Sequence, residues 1–371
     1  MALYLNNTHK ESTSDTPLGV LLINLGSPEA PTNRAVRKYL AEFLWDPRVV
    51  ETPRPLWWLI LHGYILRVRP KHTTAMYKKV WTDEGSPLIS ISRQQADKLD
   101  QKLQSQMKGT VLTDFAMRYG KPSIKAALLR LRSAGAKRII ILPMYPQYSA
   151  TTTASVFDAV TSELQSWRWI PEMRFINNYH NQPAYIEALA KTIINYWSSR
   201  NRKPDMLIFS FHGIPKSCID NGDPYYQQCQ VTARLIAKKL LLKETQWKLT
   251  FQSRVGREEW LQPYTDNTMK QLAHKGVKSL DVVCPGFSAD CLETLEEINM
   301  ENREIFLSKG GESFDYIPCL NANDFHIKAL ADLIVQHSVG WPETTGRWEE
   351  NIALDPTDNA NKPFIKSGSK P

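Results

Sequence analysis

The chain alternates short apolar runs, typical of buried strands, with longer segments whose apolar positions recur at helical spacing. In its first half this pattern predicts strands at 20–24, 111–117 and 138–144, and helices at 33–42, 87–107, 123–134 and 152–167. In its second half it predicts strands at 173–176, 206–211, 247–252, 279–284 and 313–317, and helices at 183–198, 227–242, 265–275, 292–309 and 324–337. Strands and helices that alternate in this way form parallel sheets with helices on both faces, so we predict an α/β fold.

The length of the chain indicates more than one domain. A chain of 371 residues that is 42% hydrophobic exceeds the usual size of a single domain and can bury a large core. We place the boundary at Ile170-Pro171, and we expect the polar ends of the chain to be unstructured. The predicted organisation is a disordered tail at 1–16, domains at 17–170 and 171–339, and a flexible tail at 340–371.

The first candidate for chemistry is His212, in the segment 210–215 (SFHGIP) that ends a predicted strand. Open α/β sheets bind ligands outside the carboxyl ends of their strands, so an imidazole at such an end is well placed to act on a ligand. Gly213 follows and removes a Cβ where a flat ligand would approach the backbone. The alternative at this point is a hydrogen-bonded structural histidine.

The second candidate is Glu293, in the segment 281–297 (DVVCPGFSADCLETLEE), which predicts a strand, a Pro-Gly turn and a helix. Asp290, Glu293 and Glu297 fall at helical spacing and share one face. A helix-capping role would explain Asp290, because carboxylates near a helix start are favoured by the macrodipole. Glu293 lies one turn further on, and it could face the same cleft as His212.

Several further motifs, in order along residues 18–335, resemble those of the ferrochelatases, which insert ferrous iron into a porphyrin to make haem. The motifs are 21–28 (LLINLGSP), 85–88 (GSPL), 116–120 (AMRYG), 143–153 (PMYPQYSATTT), 251–256 (FQSRVG) and WL at 260–261. The resemblance implies two similar Rossmann-like, doubly wound parallel-sheet domains with a cleft between them. It also implies an enzyme of haem biosynthesis whose substrates are protoporphyrin and ferrous iron.

The resemblance assigns the central chemistry to His212 and Glu293. Iron insertion removes two pyrrole protons and desolvates the metal, and histidine is the side chain best suited to accept a proton at neutral pH. His212 would accept the pyrrole protons, and Glu293 would pass protons outward or hold the hydrated iron; both are candidate metal ligands. Asp290 and Glu297 are auxiliary acidic candidates. Leu25 receives no metal role, because its side chain cannot bind iron.

The matching motifs also suggest how the ring would be held. By resemblance, Tyr119, Tyr148, Trp260 and Phe287 would line the porphyrin site, and Arg118 would pair with a propionate, since a guanidinium binds a carboxylate in bidentate fashion. Judged without the motifs, the aromatic residues would be core residues and Arg118 a member of a surface ion pair.

Three other functions stay open at the level of the sequence. One is a ferrochelatase that acts on coproporphyrin, and another is a cobalt or nickel chelatase that acts on an earlier tetrapyrrole. The third is a non-catalytic haem or porphyrin carrier that kept the cleft, although the presence of both His212 and Glu293 argues against it.

The five cysteines predict no bound cofactor. Cys218, Cys229, Cys284, Cys291 and Cys319 form no CxxC pair and show no structural zinc spacing. Some ferrochelatases hold an iron-sulfur cluster on cysteines of a C-terminal extension, but residues 320–371 contain no cysteine, so we expect no cluster. Cys291 stands where many relatives have histidine, so metal handling at that position would differ.

The net charge of +8 suits an anionic partner, but no nucleic-acid motif accompanies it. The segment 56–66 (LWWLILHGYIL) runs into Arg67 and Lys71, and an aromatic, apolar segment beside positive charge is typical of a membrane interface. No apolar run reaches the roughly 20 residues that a spanning helix needs, and no signal peptide is apparent. We therefore expect a cytoplasmic protein with possible peripheral contact at the inner face of the membrane through 56–66.

Overall fold

The computed structural model describes residues 16–256 and 258–345, and these form two parallel sheets. The first sheet has the order β2-β1-β3-β4, with β1 at Leu18–Ser27, β2 at Val111–Gly120, β3 at Arg138–Pro143 and β4 at Glu172–Phe175. The second has the order β6-β5-β7-β8, with β5 at Met206–His212, β6 at Trp247–Gln252, β7 at Ser279–Val283 and β8 at Ser313–Tyr316. The two sheets share one topology, which confirms the predicted pair of similar α/β layers.

Helices cover both faces of each sheet. Those that accompany the first sheet are α1 (Asn33–Trp45), α2 (Arg54–Ile60), α3 (Leu66–Val80), α4 (Pro87–Gln104), α5 (Ile124–Ser133) and α6 (Ser155–Leu164). Those that follow are α7 (Pro183–Ser199), α8 (Lys216–Asp220), α9 (Tyr225–Lys239), α10 (Thr265–His274), α11 (Arg303–Ser308), α12 (Asp324–His337) and α13 (Pro342–Thr345). A short 3-10 helix spans Glu244–Gln246.

Within the described part of the chain, three segments are π-helices, at Leu61–Ile65, Ala150–Ala154 and Glu293–Asn302. The last corrects the prediction of one continuous helix at 292–309, which is instead a π-helix followed by α11. Hydrophobic periodicity cannot show this difference, because the wider i→i+5 turn is set by contacts with distant residues.

The two layers are not separate, because one apolar core joins them. Val20 and Leu22 of β1 and Phe209 of β5 belong to the same buried cluster, which is completed by side chains of α4, α7, α9 and α12. The other faces of the two sheets are covered separately, the first by α5 and α6 and the second by α10, α11 and the Glu293–Asn302 π-helix.

One predicted strand belongs to a different sheet from the one that the sequence suggested. The strand expected at 173–176 in the second half is β4, and it pairs in parallel with β3 of the first sheet. The alternation of strands and helices could not assign this strand, because a parallel strand can extend either sheet. The first sheet with its helices, which we call the first unit, therefore includes β4, and the domain boundary at Ile170-Pro171 stays a prediction.

The start of the segment expected to be a flexible tail, 340–371, is ordered. Trp341 and Glu343 are buried, and the Glu343 carboxylate lies 3.0 Å from Arg138 of β3. The Glu343 carbonyl also accepts hydrogen bonds from the backbone of Lys108 and Gly109. Residues 340–345 thus pack against the first unit, whereas most of the predicted tails, at 1–15 and 346–371, lies outside the described residues.

Candidate active site

The carboxyl ends of β5, β6 and β7 meet at one buried glutamine. Gln252 ends β6 opposite His212 of β5, and its amide oxygen accepts a hydrogen bond from Ser210 at 2.8 Å. Its amide nitrogen donates to the carbonyl of Glu293 at 3.3 Å. Gln252 therefore ties the strand that carries His212 to the first residue of the Glu293–Asn302 π-helix.

The hydrogen bond of the His212 ring determines which of its two nitrogens is available to accept a proton. Nδ1 lies 2.6 Å from the carbonyl oxygen of Gly213, and because a carbonyl only accepts, Nδ1 carries the hydrogen. In the neutral ring Nε2 is then unprotonated, which is the state that a general base needs. Tyr225 donates to the His212 carbonyl at 3.0 Å and holds the backbone in place.

Gly213 is needed because the protein's own backbone and a tryptophan ring pack closely against it. A Cβ here would lie 2.9 Å from the Gln252 carbonyl and 3.2 Å from the Trp260 ring. The close approach predicted at this glycine therefore involves the end of β6 and Trp260, and it brings Trp260 next to the turn that follows His212.

Glu293 lies close enough to three tyrosines of the first unit for its charge to affect them. Burial raises the pKa of Tyr39, Tyr77 and Tyr145 well above that of a free tyrosine, and the negative charge of Glu293 adds to each shift. These tyrosines come from α1, α3 and the loop after β3, so Glu293 lies where the two units meet. Asn24 at the end of β1 also reaches Ser288 across this boundary, at 3.3 Å.

Glu297 lies one turn further along the π-helix and is held by Ser253. The backbone N–H of Ser253 donates to its carboxylate at 2.6 Å, and the Ser253 hydroxyl donates to its other oxygen. Burial raises the pKa of Glu297 to about 7, and the charge of Glu293 adds to the effect. Glu297 can therefore exchange a proton near neutral pH.

Asp290 is a buried structural acceptor. Its oxygens accept hydrogen bonds from the Tyr316 hydroxyl, from the Cys319 backbone at 3.1 Å and from the Asn321 amide at 2.7 Å. The Thr294 hydroxyl is 3.4 Å away. With its oxygens occupied in this way, Asp290 fixes the loop between β7 and the π-helix.

Phe287 and Trp260 are the predicted ring contacts that the structure brings to His212. The centroid of the Phe287 ring lies 6.4 Å from that of His212, and Phe287 packs with Leu25 and Leu88. Trp260 is half-buried and its ring nitrogen is buried, with no hydrogen-bond partner among the described residues. Tyr148 is half-buried, and its backbone N–H is bonded to Gln228 at 2.7 Å.

Arg118 and Tyr119 form a paired group around the buried carboxylate of Asp46. Arg118 lies 2.5 Å from Asp46 and also donates to Ser155, while the Tyr119 hydroxyl donates to Asp46 at 2.8 Å. Burial opposes ionisation of Asp46, but hydrogen bonds from Ser155, the Arg48 backbone and Tyr119, with the charge of Arg118, lower its pKa overall. In this structure both predicted contacts are engaged with Asp46, which favours the ion-pair alternative for Arg118.

Within residues 16–256 and 258–345, no three His, Cys, Asp or Glu side chains converge on a position for a metal ion. Cys291 is buried near Glu293, and burial raises its thiol pKa well above the usual value, with the charge of Glu293 adding to the shift. A protonated thiol is a poor metal ligand.

The segment 56–66 presents an apolar surface. Trp58 is 52% exposed and Tyr64 is 66% exposed, beside the exposed Leu56, Leu59 and Ile60; we call these five side chains the lip. Trp57 is buried instead, and its ring N–H donates to the Leu44 carbonyl at 2.7 Å, so this residue does not belong to the lip. No helix in the described part of the chain has the length and apolar character needed to cross a membrane.

Three residues near the site were not predicted from the sequence to belong to it: Gln252, Tyr145 and Asp46. Gln252 lies in the FQSRVG motif and Tyr145 in the PMYPQYSATTT motif, both at the ends of predicted strands. That position could have indicated that they belong to the site. The Tyr145 hydroxyl is buried and has no hydrogen-bond partner among the described residues. No sequence pattern indicates that Asp46 pairs with Arg118, because the two residues are separated by 72 positions.

Comparison with known proteins agrees with this geometry. The ferrochelatase family model matches residues 17–338. A ferrochelatase of Thioalkalivibrio sulfidiphilus is 51% identical over 95% of both chains, and one of Marinobacter nauticus is 56% identical over 88% of this chain and 89% of its own. A multi-domain Deinococcus radiodurans protein with structural similarity to chelatases shares the fold alone, with 9% identity, a TM-score of 0.50 and coverage of 90% of this chain and 56% of its own. The chain therefore belongs to the ferrochelatase family and is a chelatase that inserts iron into a porphyrin.

Proposed function

We propose that His212 accepts the pyrrole protons of protoporphyrin while Glu293, on the π-helix, assists the transfer of iron or of the released protons. The observation that carries this proposal is the Gln252 bridge, because it holds the His212 strand and the Glu293 backbone at one edge. The free Nε2 of His212 supplies the base, and the carboxylate of Glu293 suits a hard, hydrated ferrous ion.

We also propose that Glu297 carries the released protons from Glu293 towards solvent. A carboxyl group with a pKa of about 7, one turn from Glu293, can take a proton from it and release it at neutral pH. Proton removal then needs no large movement of the π-helix.

We propose protoporphyrin as the substrate rather than coproporphyrin, which carries additional carboxylates. The supporting observation is the apolar character of Leu25, Leu88, Phe287 and Leu292, which pack in two clusters that share Leu25, together with the pairing of Arg118 to Asp46. Timed turnover of each porphyrin with ferrous iron tests this choice. A preference for coproporphyrin would overturn the substrate and leave the roles of His212 and Glu293 intact.

Two substitutions test the catalytic roles. His212→Ala should abolish insertion while porphyrin still binds, because the ring contacts are mainly apolar. Glu293→Gln keeps the shape of the side chain and should lower turnover by a factor on the order of 10²–10⁴. Porphyrin binding by fluorescence quenching, melting temperature and initial rate are measured together on each variant. A stable, porphyrin-binding His212→Ala protein that inserts iron at the wild-type rate would refute the proposal.

We further propose that the lip contacts an anionic membrane surface, where an apolar porphyrin enters and the cationic Arg67 and Lys71 face the headgroups. The buried Trp57 is unsuitable for a test, because its loss would disturb folding. The double variant Trp58→Ser/Tyr64→Ser should float less with anionic liposomes and keep its melting temperature. Leu241→Ser, at an 88% exposed position outside the lip, is the control. Equal flotation of the wild type, the double variant and Leu241→Ser would refute the proposed contact between the lip and the membrane.

The cysteines support a protein without an iron-sulfur cluster. They form no CxxC pair, and residues 320–371, where a cluster-binding extension would lie, contain no cysteine. We propose that iron occurs in this protein only as the metal being inserted.

A further inference from the structure

The Glu293–Asn302 π-helix is held in place by contacts from outside itself. Ten residues with i→i+5 bonding are long for this rare geometry, which is usually confined to a single turn. Gln252 holds its first carbonyl, and Ser253 holds the Glu297 carboxylate. Both of these tethers come from the end of β6, on one side of the helix.

The tether from the other unit is an ion pair between Lys79 of α3 and Glu296. The ammonium nitrogen of Lys79 lies 2.6 Å from Glu296 Oε1; the lysine side chain is 55% exposed and the glutamate side chain 6% exposed. Among the described residues, this is the ion pair that joins α3 to the π-helix. Lys79 therefore supplies the positive charge that compensates a buried carboxylate three residues from Glu293.

The pair also lies where the π-helix satisfies its polar groups incompletely. Glu296 Oε2 and Asn302 Oδ1 are buried and have no hydrogen-bond partner among the described residues. Leaving buried acceptors unpaired costs free energy, so this conformation depends on the contacts that remain. Without Lys79, the buried charge of Glu296 would be uncompensated, and turning it towards water would rotate the helix that carries Glu293.

We propose that Lys79 and Glu296 are positioning residues: their ion pair fixes the turn of the π-helix that aims Glu293 into the cleft. This inference rests on the proposed role of Glu293. It predicts that the harm of losing Lys79 comes from the unpaired charge of Glu296, so removing that charge as well should repair much of the damage.

The test compares Lys79→Met, Lys79→Arg, Glu296→Gln and Lys79→Met/Glu296→Gln, with Lys78→Met as the matched control at the exposed neighbouring lysine. Lys79→Met should lower kcat roughly tenfold or more through misplacement of Glu293, with KM for porphyrin changed by no more than about twofold. Hydrogen exchange in residues 293–302 should speed up. Lys79→Arg and the double variant should recover most of kcat, whereas Lys78→Met should match the wild type.

Two results would overturn the inference. One is a Lys79→Met protein whose kcat and hydrogen exchange match those of Lys78→Met. The other is a double variant no faster than Lys79→Met, which would show that the charge of Glu296 is not the cause. The proposed role of Glu293 is tested separately. That role is refuted if Glu293→Gln inserts iron at the wild-type rate.

Discussion

Burial raises the pKa of Glu297. Replacing Glu297 with glutamine should remove the pH-dependent contribution that its carboxyl group makes to the free energy of unfolding. The carboxyl group is enclosed near Ser253, and its pKa is raised from 4.5 for a free glutamate to about 7. Glutamine has nearly the same shape and can still accept the Ser253 N–H bond, but it does not titrate. The pH dependence that distinguishes wild type from Glu297→Gln therefore reports the proton on this one group.

The sign follows from proton binding in the two states. Between pH 4.5 and 7 the folded protein holds the Glu297 proton more tightly than the unfolded chain does. The free energy of unfolding therefore falls as the pH rises through this range, and the contribution is fully present only below pH 4.5. The difference between the two pKa values corresponds to about 3 kcal/mol.

Urea unfolding of wild type and Glu297→Gln, at a series of pH values from about 5 to about 8, measures this contribution. The free energy of unfolding of wild type minus that of the variant should fall by up to about 3 kcal/mol across the series. Glu304→Gln, at an exposed position in α11, should run parallel to wild type. Parallel curves for Glu297→Gln as well would show that burial does not shift its proton affinity, and the proposed proton exit would lose its support.

Three further outcomes follow from the contacts in the site. Asp290→Ala should lower the free energy of unfolding by at least about 3 kcal/mol in urea, because it leaves several buried donors unpaired; a smaller loss would contradict the structural role of Asp290. Arg118→Met should lower the melting temperature, with a cost of about 3 kcal/mol for the unpaired Asp46, while porphyrin affinity changes little; loss of affinity without loss of stability would restore the propionate role. Cys319→Ser should keep its activity, and fresh wild-type protein should contain no acid-labile sulfide; sulfide at the level of a cluster would refute this.

The strands that carry chemistry were predictable because their signals are local. The run 206–209 (MLIF) follows a turn-forming Lys-Pro-Asp, and its last three residues are buried, as those of a central parallel strand should be. His212 ends this strand, and His212 and Glu293 both follow strands whose carboxyl ends lie at one edge of the sheet. Strand periodicity and the rule for sheet edges placed both residues near that edge, whereas their chemical roles came from the family resemblance and stay predictions.

Features that depend on distant partners were not predictable in the same way. β4 could have joined either sheet until its pairing with β3 was seen. The order of residues 340–345 rests on Arg138, which is separated from Glu343 by 205 residues. Helix α3 was not predicted, since its apolar pattern is weak and it contains Pro70, which interrupts a helical signal.

The same division separates the two residues that we propose as reacting groups from the residues that hold them. His212 and Glu293 lie in local motifs, but the π-helix that carries Glu293 is held by distant residues. Gln252, Ser253 and Lys79 bond to Glu293, Glu297 and Glu296 across separations of 41, 44 and 217 residues. Lys79 lies on α3, which continues from the segment that carries the lip. A membrane contact at the lip would therefore be connected through α3 to the ion pair with Glu296. If both proposals hold, docking at a membrane and the aim of Glu293 depend on one helix, and liposomes should change kcat in the wild type more than in the Lys79→Met/Glu296→Gln variant.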